Sequence, residues 1–220
     1  MLDPFVCLLA VGPLVVYLAA FGLMRILGWV WVTSVSVEIM TLGFALMGFV
    51  AIGPAELFFP RAASAFFGPV VWVAVLMLYF LCVSLYALTR PMKLCVYGLS
   101  AADLYQPLLQ AASNLDREAE GINERLQVRM PNSGIQIRVD GYTGVQYAQV
   151  TTFEPNLSLQ FWLDLHKHLR AQVINHSARH RTGGWMMLTV AAALAILVAL
   201  FCVDQPDQLA EGFKRWLYRL

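Results

Sequence analysis

Four transmembrane α-helices, with a small α+β domain of order (β)αβββα inserted between the third and the fourth, form the architecture expected of this chain. Three observations carry that expectation. Gly183 to Val203 contains no charged residue, and its leucine, isoleucine, valine and phenylalanine side chains sum to about −3 to −5 kcal/mol of insertion free energy. Three further apolar runs fill residues 1–91, each about long enough for the hydrocarbon core of a bilayer. Between them and the last run the composition becomes that of a soluble protein, so residues 92–182 are expected to fold as a domain of their own. Residues 183–204 then form the fourth span and residues 205–220 a tail. Over all 220 residues the chain is 59% hydrophobic and 13% charged, against about 25% charged in soluble proteins.

The first span is expected from Pro4 to Met24, with a kink at Gly12-Pro13. The start Met1-Leu2-Asp3-Pro4 lacks the basic residues of a signal peptide, so this run is read as a retained span. The second runs from Val35 to Ile52 and stops at Gly53-Pro54, and the third from Phe67 to Leu88 before Thr89-Arg90-Pro91. The fourth runs from Trp185 to Val203. Trp29, Trp31, Trp72 and Trp185 fall near span ends, where interfacial tryptophans sit. Pro54 to Pro69 and the tail, with Leu209, Phe213, Trp216, Leu217 and Leu220 at helical spacing, are expected to lie along the bilayer surface.

Lysine and arginine near the span ends set the expected orientation. Arg25, Arg90, Lys93, Arg179 and Arg181 share one side; opposite lie Arg61 near the membrane and Lys214, Arg215 and Arg219 in the tail, five against one near the spans and five against four with the tail. The domain is therefore expected in the cytoplasm and both termini outside, in a multi-pass protein of the plasma membrane.

Within the domain, Leu94 to Tyr97 reads as a short strand. Ser100 and Asp103 make a capping box, followed by a helical stripe of Leu104, Leu108, Ala111, Leu115 and Ala119. Period two then takes over. Leu126, Val128 and Met130 alternate with Arg125, Gln127 and Arg129, and Ile135, Ile137 and Val139 with Gln136, Arg138 and Asp140. Pro131-Asn132-Ser133-Gly134 and Asp140 to Gly144 are turns, and Val145 to Phe153 a third meander strand with one buried and one wet face. A second helix after Pro155-Asn156 carries Trp162, Leu165, Leu169 and Val173 on one side.

The chemistry legible in the residues is sparse. Arg125, Arg129 and Arg138 share the wet sheet face and could receive a partner, an ordinary solvated face being the alternative. Arg25 and Glu38, near the facing ends of adjacent spans, could form an ion pair, and neutralising Glu38 should destabilise only modestly. Ala191, Ala195 and Ala199 recur every four residues and allow close helix packing. His166, His168, His176 and His180 lack the converging partners of a zinc site, and Cys7, Cys82, Cys95 and Cys202 match no redox or metal spacing. The net charge of +1 gives no general attraction to nucleic acid or to anionic lipid, and no nucleic acid is expected as a partner. The motifs of phosphate loops, hydrolase elbows, zinc peptidases and dinucleotide sites do not occur; no cofactor is expected and the balance leans away from an enzyme. The function expected is that of a membrane-anchored interaction or assembly module, whose domain docks a protein partner or a second copy. A transport or channel component with a regulatory domain is the alternative.

Overall fold

The computed structural model describes residues 4–53, 70–142, 146–154, 157–174, 182–204 and 209–214. Four of its helices are long and apolar enough to cross a membrane: α1 (Pro4–Leu27), α2 (Val35–Ile52), α3 (Val70–Thr89) and α6 (Thr182–Asp204). Residues 209–214 are also helical. The expected surface segment Pro54 to Pro69, much of the tail, and His176 and His180 lie outside the described residues.

The chain divides into two compact units. One comprises residues 1–23, 39–87 and 184–220 and holds most of the apolar helices. Small residues set the packing there. At Gly48 an added Cβ would lie 2.0 Å from the Leu9 carbonyl oxygen and 2.7 Å from that of Ala10, so α1 and α2 touch backbone to backbone. The Tyr79 hydroxyl donates to the Gly43 carbonyl at 2.7 Å, joining α3 to α2. On α6, Ala191 and Val198 are buried, but Ala195 and Ala199 are exposed. The packed face of α6 therefore runs through Gly184, Ala191 and Val198 rather than along the alanine stripe.

The second unit comprises residues 24–38 and 88–183. Its centre is a six-stranded antiparallel sheet of order β1-β2-β6-β5-β4-β3: β1 (Trp31–Ser34), β2 (Leu94–Tyr97), β3 (Glu120–Ile122), β4 (Gln127–Met130), β5 (Ile135–Gly141) and β6 (Tyr147–Thr152). Helices α4 (Ala101–Leu115) and α5 (Leu159–Val173) cover one face. Leu104, Leu108, Leu165 and Leu169 pack there with Val96, Val128, Ile137 and Val150 in a core fully removed from solvent. Both helices begin as their sequences ask: Ser100 Oγ accepts from the Asp103 amide, and Ser158 Oγ from that of Phe161.

Two strands differ from the expected (β)αβββα order. The connection between α1 and α2 is strand β1, which pairs with β2 from Trp31 opposite Tyr97 to Ser34 opposite Leu94. Its residues are β-prone, but four residues between two apolar runs carry too little periodicity to stand out. β3 has three exposed residues and no alternation at all. It exists because α4 ends at Leu115, four residues before Ala119. Asp116 stops the helix, and its carboxylate accepts from the amides of Glu118, Asn132 and Ser133 and from Asn132 Nδ2, at 2.9–3.4 Å. One side chain thus fastens the end of α4 to the β4–β5 turn, where Gly134 takes a φ of +66°.

Burial alone would raise the Asp116 pKa, but the four donors outweigh it and hold the carboxyl below its ordinary 3.8. A depressed folded-state value stabilises the fold above the unfolded pKa and is lost as pH falls through the lower folded value. The difference in thermal midpoint between the wild type and Asp116→Asn should therefore stay constant above about pH 4 and shrink below it, as followed by thermal unfolding across pH.

Candidate functional site

The face of the sheet turned away from α4 and α5 has two unlike halves. Along β2, Leu94 and Val96 enter the core, which leaves Cys95 and Tyr97 on the opposite face; along β6, Ala148 and Val150 do so, leaving Tyr147 and Gln149. Register sets Tyr97 opposite Tyr147 and Cys95 opposite Gln149. The two tyrosine rings lie 5.0 Å apart at 51°.

Onto this pair the first turn of α2 lowers Glu38. The Tyr97 hydroxyl donates to Glu38 Oε1, and the Tyr147 hydroxyl stands 3.3 Å from Oε2 and 3.4 Å from Oε1. Gln149 Nε2 donates to the Tyr147 oxygen at 2.5 Å, and Cys95 Sγ lies 3.4 Å from that oxygen. Thr33 of β1, opposite Cys95, closes the row and is buried with it.

The electrostatics follow from burial. Desolvation pushes the Cys95 thiol up to about 12, assisted by Glu38 and opposed by the Tyr147 hydrogen bond and by Lys93. At neutral pH Cys95 is a protonated thiol and not a nucleophile. Burial also raises Tyr97, with Glu38 adding to the shift, and it raises Tyr147, where the Cys95 contact adds and the Gln149 hydrogen bond subtracts. Both phenols keep the protons they need as donors. The cluster holds a carboxylate in place, near the N-terminal end of a helix where negative charge is favoured.

The expected partner of Glu38 is not the one found. The structure does not bring Arg25 within ion-pairing distance of it; the Arg25 guanidinium packs against Gly183, where an added Cβ would meet Nη1 at 3.0 Å. The sequence does not mark Tyr97, Tyr147, Gln149 and Cys95 as site residues. Their signal was the alternation of each strand, which puts all four on one face once β2 is paired with β6.

The other half of the face carries the arginines. Arg129 and Arg138 are exposed on β4 and β5. Arg138 Nε lies 2.6 Å from Asp140 and its guanidinium 5.6 Å from the Phe153 ring, and Arg129 pairs in register with Glu120. Arg125 is not on a strand: it ends a 3₁₀ turn (Asn123–Arg125), and Leu126 follows at a φ of 50°. Exposed Ile122 and Phe153 flank the arginines. Among the described residues no three His, Cys, Asp or Glu side chains are grouped to hold a metal ion. Set against known proteins, the chain matches no family model, no curated protein and no solved structure.

Proposed function

We propose that the protein is a membrane-anchored docking module that presents the β3-β4-β5 half of its sheet to a protein partner. The observation that carries this reading is an uncovered sheet face that mixes Arg129, Arg138, Gln127 and Gln136 with exposed Ile122 and Phe153. Arginine and aromatic side chains on a half-polar surface are the composition of protein interfaces. The charges there are largely balanced by Glu120 and Asp140, so the reading needs shape and apolar contact from the partner more than negative charge. Four spans in a multi-pass membrane protein would hold the domain at the bilayer, on the cytoplasmic side by the arginine and lysine distribution, with both termini outside.

A photo-crosslinking residue at Gln136, in native membranes, should give one discrete adduct with another polypeptide or a second copy. That adduct should weaken with Arg138→Ala and be absent with the crosslinker at Gln110, exposed on α4. Equal labelling at both positions, or none, would contradict the reading. A second reading, a transport or channel component regulated by the domain, draws support from the clamp on Glu38, through which movement of the sheet would reach α2. Its test is flux in reconstituted vesicles, lost on Glu38→Gln.

A further inference from the structure

Beside the edge strand β1 lies a cavity of about 510 Å³, within the roughly 300–1,000 Å³ range of small-molecule sites. One wall is β1 and the first residues of α2, through Val37; another is Met92, Lys93 and Leu94; the third is the face of α5 from Leu159 to Arg170. Three features converge there. The walls are mainly apolar, yet Trp31, Met92, Leu159 and Leu163 remain 47%, 50%, 58% and 54% exposed. The charged lining residues are Lys93 and Arg170, with no carboxylate among them. The cavity also borders the sequence of two membrane-length helices, because Val35 to Val37 begin α2 and Lys93 follows Thr89, the end of α3, by four residues.

We propose that this groove binds a single anionic phospholipid, its phosphate held by Lys93 and Arg170 and its acyl chain laid along Trp31, Val35 and Leu163. Basic pockets at the membrane border recognise such headgroups, and the lining here belongs to the segments that enter α2 and leave α3. A peptide strand added to β1 fits less well. His166 reaches the Val32 carbonyl at 3.2 Å; a carbonyl only accepts, so Nε2–H donates and caps the edge that an added strand would use. A small free anion would leave the apolar walls open.

The test is native mass spectrometry of the full chain released from bilayers of equal phosphatidylglycerol and phosphatidylcholine. Each cation near an anionic surface contributes roughly fivefold, so the chain should retain one phosphatidylglycerol over phosphatidylcholine by about twenty-five-fold for the two cations. The Lys93→Gln/Arg170→Gln double variant should lose that preference, with an unchanged thermal midpoint showing that it is folded, while Arg117→Gln, exposed elsewhere in the same unit, should keep it. Equal retention of the two lipids would overturn the proposal. So would an undiminished preference in the double variant, or displacement of the lipid by inorganic phosphate alone. Capture of a peptide in place of lipid would likewise reject it.

Discussion

Gly48→Val is expected to destabilise the helical unit by more than about 3 kcal/mol, the upper end of what overpacking usually costs. A Cβ at this position would fall 2.0 Å from one carbonyl oxygen of α1 and 2.7 Å from the next. Those atoms are backbone and cannot rotate aside, so the helices must separate. Inside a bilayer no hydrophobic force draws them back together, since close packing is itself the source of association. Gly12→Ala is the matched control. It lies in the same helix pair with nothing within 4 Å of its added Cβ, and alanine should be neutral or stabilising by up to about 1 kcal/mol. Thermal unfolding in detergent, followed by size-exclusion chromatography, distinguishes the two. Equal midpoints for Gly48→Val and Gly12→Ala would contradict the backbone contact.

Glu38→Leu should cost about 2–3 kcal/mol, because the Tyr97 hydroxyl loses its acceptor in a partly buried place and Tyr147 is left with only the Cys95 sulfur to accept from it. Glu38→Gln keeps one acceptor oxygen and should cost only about 1 kcal/mol. Adding Tyr97→Phe and Tyr147→Phe to Glu38→Leu should recover most of the loss, since removing both sides of a buried hydrogen bond is far cheaper than removing one. A charge pair with Arg25 would behave otherwise: the phenylalanines would recover nothing. A double-mutant cycle on unfolding free energies therefore identifies the partner of Glu38.

The strongly periodic parts of the chain were legible. Long apolar runs announce the four apolar helices, and alternation that continues on both sides of the Pro131 to Gly134 turn announces β4 and β5 together. The Ser100 cap was legible because a cap is local, whereas the Ser158 cap of the second helix was not singled out. Non-local pairing was not. Strand β1 exists through its bonds to β2, and nothing in Trp31 to Ser34 states that a segment sixty residues later will lie beside it. Glu38 suffered likewise: two tyrosines distant in sequence hold it, while the nearby Arg25 was the conspicuous opposite charge. Asp116 is non-local in the same way, since three of its four donors come from Asn132 and Ser133, sixteen and seventeen residues along the chain. The cavity beside β1 depends on all of these pairings and has no signature in the sequence.

A sheet that begins between the first two apolar helices is tested most directly across the Thr33 and Cys95 pair. Directly opposed residues of antiparallel strands have Cα atoms about 4.5–5.5 Å apart, within reach of a disulfide. In a chain with Cys7, Cys82 and Cys202 replaced by alanine, Thr33→Cys should form an intramolecular disulfide with Cys95 under copper–phenanthroline oxidation, seen by intact mass and reversed by reductant. If Thr33→Cys instead reacted fully with maleimide and no disulfide formed, the connection would be a free loop and the six-stranded sheet would be wrong at its edge.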